Sequence, residues 1–242
     1  MALDRDVSFT WFGHAAVLAE SSGGTVVLID PWLGNPVSPT TPDAIARVDV
    51  MLVTHGHSDH FGDALSIGSR TRPIWPTIHE MQLWLARNYA HADRVIGMNK
   101  GGTVEAAGVR VTMTGADHSA GDWNPGGETT LYFGEPAGFV VEMENGFRFY
   151  HAGDTSVTSD MRLTAELYRP ELAILPIGGH FTMDPRGAAL AVELLGVKHV
   201  LPIHYGTFPL LAGTPEELRV ELDARGLRDV EVHALKPGET LR

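Results

Sequence analysis

The sequence predicts an α/β (α+β) protein in which two stacked β-sheets carry helices on their outer faces. Short β-rich segments dominate the first third of the 242-residue chain, and strands alternate with helical segments in the second half. Consecutive hairpin strands indicate antiparallel pairing, whereas alternating strands and helices are typical of a sheet beneath a helical layer. Because each sheet buries one face, we expect the two sheets to pack against each other.

The first third of the chain contains four predicted strands. They are separated by turn-forming residues, and Ser22, Gly23 and Gly24 predict a hairpin turn between the second and third strands. A helix is predicted next, over residues 78–88, because apolar residues recur there at three to four positions. The predicted strands span residues 7–12, 16–20, 25–30 and 50–54.

The chain from residue 109 onwards contains five predicted strands and three predicted helices. Thr214 supplies a cap for the last helix, and Pro215 and Glu216 suit its first turn. Residues 121–138 are rich in Gly and Pro and are predicted to form a long loop. The strands span residues 109–114, 138–142, 148–151, 172–176 and 199–202, and the helices span residues 160–168, 185–195 and 214–225.

The amino-acid composition limits the classes of function that the chain can have. With 43% hydrophobic residues, the chain is long enough for one domain with a large core, which we place over residues 1–242. The net charge of -12 disfavours a nucleic-acid partner, which needs clustered cations. Without cysteine, any metal must be held by nitrogen and oxygen. The first residues resemble neither a secretory signal nor a membrane span, so we expect a cytoplasmic protein.

The strand at residues 50–54 leads into the densest cluster of polar side chains. His55, His57, Asp59 and His60 follow it within six positions. Residues just past a buried strand lie at the rim of a sheet, where functional groups are commonly held. His55 and His57 can point the same way in extended chain, and the next two can face a second position, so one segment can serve two ions. The alternative is a solvated loop of histidines bonded to backbone carbonyls.

Three later sites favour metal binding over that alternative. His118, Asp154 and His204 each follow a predicted strand in a turn-like context. Gly153 permits a sharp turn before Asp154, whose carboxylate can bridge two cations. His118 would complete a set of three histidines with the first two of the motif, and His204 is available to a second ion.

This pattern resembles the metallo-β-lactamase superfamily, whose His-x-His-x-Asp-His motif matches residues 55–60. The resemblance implies a four-layer αββα sandwich of two mixed sheets flanked by helices, with two divalent metal ions at one edge of the sheets. It also implies that His55, His57 and His118 bind the first ion, that Asp59, His60 and His204 bind the second, and that Asp154 is shared by both.

Further segments indicate a particular branch of this superfamily. Residues 11–15, 29–33, 134–139 and 176–183 resemble a largely uncharacterised branch of metal-dependent hydrolases that is similar to L-ascorbate-6-phosphate lactonase. True β-lactamases are disfavoured, since many place a cysteine on the second metal.

Four polar residues outside the ligand set have more open roles. His180 stands where the branch is expected to carry an Asp-Asn or similar pair, and it either contacts substrate or is an ordinary loop residue. For His14 and His151 we expect at most a hydrogen bond to a ligand, and Asp30 is expected to brace the metal loop.

The expected reaction is hydrolysis of a small molecule. Two metal ions lower the pKa of a bridging water, and the hydroxide would attack an ester, lactone or phosphodiester, with Asp59 or Asp154 positioning it. Zinc suits the imidazole-rich site best, and manganese or iron also fits nitrogen and oxygen ligands. An iron-dependent oxidoreductase and a non-catalytic metal-binding module are the alternatives. The oligomeric state stays open, with a homo-oligomer as one alternative.

Overall fold

The computed structural model describes residues 6–121 and 130–242. Its chain begins mainly with strands and ends with strands alternating with helices, as predicted. In chain order the elements are β1 (Val7–Trp11), β2 (Val17–Ser21), β3 (Val26–Ile29), β4 (Val50–Leu52), α1 (Ser58–Phe61), α2 (Ala64–Thr71), β5 (Trp75–Ile78), α3 (His79–Asn88), β6 (Val95–Met98), β7 (Thr103–Ala106), β8 (Val109–Gly115), β9 (Ala137–Glu142), β10 (Arg148–His151), α4 (Asp160–Tyr168), β11 (Leu172–Pro176), α5 (Pro185–Leu195), β12 (His199–Ile203), α6 (Pro215–Ala224), β13 (Glu231–Val232) and β14 (Thr240–Leu241).

Two mixed sheets form the centre of the fold. The first has the order β14-β1-β2-β3-β4, antiparallel from β14 to β3 and parallel between β3 and β4. The second has the order β13-β12-β11-β10-β9-β8-β7, antiparallel from β7 to β10 and parallel from β10 to β13. A small parallel pair, β5 and β6, stands beside them. The predicted hairpin turn at residues 22–24 joins β2 to β3.

The core lies in two layers on either side of the second sheet. Phe149 of β10 packs in the larger cluster together with Phe9 of β1, so this cluster fills the space between the sheets. The next residue, Tyr150, faces the other way and packs with Leu195 of α5 and Leu222 of α6. Successive side chains of a strand point to opposite faces, which explains how one strand serves both layers. The predicted sandwich of two sheets flanked by helices is confirmed.

The predicted and observed boundaries of the elements agree best where the sequence pattern was strongest. The structure has β10, β11, α4 and α5 over the residues that the sequence predicted. It adds α1, α2, β5, β6, β7, β13 and β14, which the sequence analysis did not predict. Residues 122–129 of the predicted loop at 121–138 lie outside the described residues.

None of the helices in the described parts of the chain combines the length and the apolar character needed to cross a bilayer.

Candidate metal centre

Chain direction brings the predicted site residues to one edge of the sandwich. Strands β8, β10 and β12 run in the same direction within the second sheet, so the segments that follow them leave from the same edge. These segments carry His118, Asp154 and His204. Strand β4 of the first sheet is followed by the segment that carries His55.

Three histidines form the first group. One ring nitrogen from each of His55, His57 and His118 lies within 4.8 Å of the other two. Nε2 of His55 is 2.8 Å from Nδ1 of His57. Tetrahedral zinc with nitrogen at 2.0–2.1 Å holds its donors about 3.3 Å apart, so these two nitrogens need to separate by about 0.5 Å to share an ion.

Thr54 fixes the proton of the buried His55 ring. Its hydroxyl donates to Oδ2 of Asp30 at 2.8 Å, and the same oxygen lies 3.0 Å from Nδ1 of His55. Because the only hydroxyl hydrogen is directed at Asp30, Nδ1 of His55 is the donor of this second bond. Nε2 therefore keeps its lone pair. Burial lowers the pKa of His55 well below its usual value, which also favours the neutral ring.

A second group contains His14, Asp59, His60 and His204, which offer ligand atoms within 4.8 Å of one another. Asp154 lies beside both groups. Its Oδ2 is 3.2 Å from Nε2 of His60, 3.1 Å from Nε2 of His204 and 3.6 Å from Nε2 of His118. This carboxylate is therefore placed to contact two ions at once.

The buried atoms at the middle of these groups lack ordinary partners. Nε2 of His60 and Nε2 of His204 lie close to Oδ2 of Asp154 but make no well-aligned hydrogen bond, and Oδ1 of Asp154 has no hydrogen-bond partner within the described residues. Unpaired buried polar atoms are costly, and native proteins nearly always satisfy them. A nitrogen and oxygen donor set with converging lone pairs is what divalent zinc, manganese or iron requires, so the residues fit the metals that the sequence implied.

Two buried residues orient the second group. Oδ2 of Asp30 accepts from Nδ1 of His60 at 2.8 Å, which directs Nε2 of that ring towards Asp154. Burial lowers the pKa of His14 to about 4, so this ring is neutral at pH 7. Its Nδ1 is 3.0 Å from the hydroxyl of Thr207 and its Nε2 is 2.8 Å from Oδ2 of Asp59. Since a carboxylate only accepts, Nε2 is the donor.

The carboxylates stay ionised although they are enclosed. Burial acts to raise the pKa of Asp154, but the neighbouring His204 and His60 hold it well below its usual value. Burial also acts to raise the pKa of Asp59, but the hydrogen bond from His14 holds it well below its usual value. The side chain of Asp59 is 29% exposed and that of Asp154 only 3%, so Asp59 is the more accessible of the two from the cavity.

Several of these residues have backbones in the left-handed region. His14, Asp30 and His204 have φ values of 52°, 47° and 56°. Such conformations cost energy in non-glycine residues and tend to persist at functional sites, where the surrounding structure enforces them. The amide of His204 donates to the carbonyl of His14 at 2.8 Å, which joins two of the three.

A cavity of about 310 Å³ opens above the groups. Phe181, 52% exposed, and Ser119 line it, and neither was singled out from the sequence. His180 also has a positive φ, 58°, but it belongs to none of the ligand groups found among the described residues. His151 is buried at the end of β10, where its Nδ1 accepts from the amide of Gly153 at 3.1 Å. The cavity is also lined by His57, Asp59, His118, Asp154 and His204.

Comparisons with known proteins agree with this geometry. The model of the beta-lactamase superfamily domain matches residues 25–205. A UPF0173 metal-dependent hydrolase of Roseiflexus castenholzii is 46% identical over 99% of this chain and 98% of its own length. One of Archaeoglobus fulgidus is 46% identical over 97% of this chain and 98% of its own length. The structure of Igni18, a novel metallo hydrolase from the archaeon Ignicoccus hospitalis, is 38% identical, with a TM-score of 0.85 and 97% of each chain covered.

The fold and the matches together define a class of enzyme, the metal-dependent hydrolases. The chain belongs to the beta-lactamase superfamily and, within it, to the UPF0173 metal-dependent hydrolases. The predicted superfamily, fold and enzyme class are thereby confirmed. The ligand assignments, the number and identity of the metals and the similarity to the lactonase stay predictions.

Proposed function

We propose that this hydrolase uses two divalent metal ions to cleave an ester, lactone or phosphodiester bond of a small molecule. The position of Asp154 between the two ligand groups is the observation that carries the proposal. The first ion would be held by His55, His57 and His118, the second by Asp59, His60 and His204, and both by Asp154.

The protein residues have three tasks in this proposal. When bound, the ions supply Lewis acidity and lower the pKa of a water to near neutrality, which replaces a strong protein base. Asp59 is partly exposed to the cavity, and its carboxylate can orient the attacking water. His14 holds this carboxylate by the 2.8 Å hydrogen bond. Asp30 and Thr54 hold two of the imidazoles with their Nε2 lone pairs directed inwards.

The cavity wall favours an acyl ester or a lactone among these bonds. Neither Lys nor Arg is among the described residues that line it, whereas the ring of Phe181 is exposed there. Sites for phosphorylated substrates usually add Lys or Arg to share the negative charge. An apolar acyl or lactone group can instead bury surface against Phe181, at about 25 cal/mol for each Å² removed from water.

Replacement of His57 and Asp154 tests the proposal. We expect the single variants His57→Ala and Asp154→Ala to lose bound metal, measured by elemental analysis, and to lose turnover of an aryl ester or chromogenic lactone. His79→Ala is the matched control, because His79 is exposed at the start of α3, outside the ligand groups. Unchanged metal content in both variants would overturn the ligand assignment.

A substrate pair tests the preferred bond. An aryl acetate and a bis-aryl phosphodiester with the same leaving group differ in charge at the reacting centre. We expect the neutral acetate to have the higher kcat/KM. The variant Phe181→Ala should lower kcat/KM for the acetate, mainly by raising KM. Preference for the phosphodiester would assign the cavity to anionic substrates. Oxygen consumption with redox-active iron would indicate the oxidoreductase instead.

A further inference from the structure

A second cluster of metal-ligating side chains lies on the strand pair at the edge of the second sheet. His199 is the first residue of β12 and pairs with Glu231 of β13. The amide of His233 donates to the carbonyl of Val200 at 2.8 Å, so the pairing continues past the end of β13. Because alternate residues of a strand share a face, Glu231 and His233 point to the same side, next to His199.

The donor atoms have the spacing of a coordination sphere. Nδ1 of His199 is 3.1 Å from Nε2 of His233 and 3.8 Å from Oε2 of Glu231. One ligand atom of each residue lies within 4.8 Å of the other two. Tetrahedral zinc with ligands at 2.0–2.2 Å separates its donors by about 3.3–3.6 Å, and the two measured distances bracket this range.

The chemistry of the cluster also suits a cation. Two imidazoles and one carboxylate form a ligand set that binds zinc and leaves a fourth position for water. All three residues are half-buried, so water can reach that position.

The cluster is separate from the candidate metal centre. His199 begins β12, and His204 directly follows its last residue. Five residues of extended chain span about 16 Å. The two sites therefore lie at opposite ends of one strand.

We propose that His199, Glu231 and His233 form an additional binding site for a zinc-class divalent cation, which fastens β13 to β12. Strand β13 has only two residues and borders the sheet, so few backbone bonds hold it there. A shared cation would hold this edge and the segment that leads from it to β14. The site requires neither the two-metal mechanism nor any particular substrate.

Zinc counting tests the additional site. Chelator-treated protein is dialysed against micromolar Zn²⁺ alone, and we expect the unaltered chain to bind one ion more than His233→Gln or His199→Gln. Glutamine can still hydrogen-bond the remaining imidazole, so the variants separate coordination from a simple hydrogen bond between rings. His79→Gln is the control and should bind as many ions as the unaltered chain. Equal zinc content in the unaltered chain and both cluster variants would overturn the proposal, as would an additional ion that binds only at millimolar zinc.

Two further readouts keep this test independent of the candidate metal centre. Turnover should be unchanged in His233→Gln, because the cluster is remote from the cavity. In the unaltered chain, Zn²⁺ should slow hydrogen exchange at the amides of Glu231 and His233, and in His233→Gln it should not. If zinc does not slow hydrogen exchange at these amides in the unaltered chain, the proposed cation site between β12 and β13 is contradicted, even if a variant fails to fold. The variants His57→Ala and Asp154→Ala test the candidate metal centre only. They should lose the ions of that centre and keep the ion at His199, Glu231 and His233.

Discussion

Asp30 illustrates how one buried carboxylate sets the protonation of the candidate centre. It accepts three hydrogen bonds, from the amide and the hydroxyl of Thr54 and from Nδ1 of His60, at 2.7, 2.8 and 2.8 Å. When the ring of His60 is neutral, as metal binding requires, this bond leaves its lone pair on Nε2, and the bond to Thr54 makes that hydroxyl an acceptor for His55. A single side chain thus orients His55 in the first ligand group, through Thr54, and His60 in the second.

We predict that Asp30→Asn weakens metal binding about 10–100-fold while the chain stays folded. Asparagine tolerates the positive φ of this position, but it has one acceptor oxygen in place of two. With its NH₂ group facing His60, that ring must carry its proton on Nε2, where the ligand lone pair is needed. Metal affinity by competition with a chelator, together with circular dichroism, measures the effect.

Asp43→Asn is the matched control for Asp30→Asn. The side chain of Asp43 is 94% exposed, so the same chemical change there should leave metal affinity unaltered. Wild-type affinity in Asp30→Asn would mean that the carboxylate does not determine the tautomer of His60.

At the scale of elements, the site depends on close contact between the segments that follow β11 and β12. A Cβ atom on Gly178 would overlap the carbonyl oxygen of His204. The absence of a side chain at Gly178 therefore lets the segment with His204 approach the segment that follows β11. Sequence patterns did not reveal this, because the contact joins residues 26 positions apart in sequence.

We predict that Gly178→Ala destabilises the fold by about 1–3 kcal/mol, the usual cost of overpacking, and displaces His204. The protein should then bind one ion less, because the group of His55, His57 and His118 is untouched. Denaturant unfolding and metal counting measure the two effects. Gly115→Ala is the control, since a Cβ atom there would have nothing within 4 Å. Full metal content with native stability in Gly178→Ala would show that the segment can adjust.

The elements that the sequence predicted are those with a strong pattern of their own. α5 has a capping Asp184, a Pro at its start and Gly196 after its end, so local signals define both boundaries. In contrast, β13 and β14 have two residues each and exist only through pairing with β12 and β1. Their formation depends on contacts between distant parts of the chain, and a local pattern carries no information on those.

For the whole molecule, the same distinction separates the predicted from the missed site residues. The ligand candidates were found because each follows a strand and carries a metal-binding group. Thr207 was missed, since its contact with His14 joins positions 193 apart. Phe181 was missed because its exposure at the cavity depends on the folding of a loop. The sequence therefore indicated which residues carry metal-binding groups better than which residues surround them.

Metal removal should destabilise the whole fold, because the folded chain alone brings His60, His204 and Asp154 together with unpaired atoms. An ion present at a hundredfold its Kd stabilises the folded state by about 2.7 kcal/mol. For a chain of this size, 1 kcal/mol shifts Tm by about 2–4 °C, so each ion should raise Tm by about 5–11 °C. Calorimetry of chelated and zinc-reloaded His233→Gln isolates the effect of the candidate metal centre from that of the edge cluster. Adding Asp154→Ala to His233→Gln should reduce the rise in Tm that zinc causes. If His233→Gln has the same Tm with and without zinc, the candidate metal centre holds no ion.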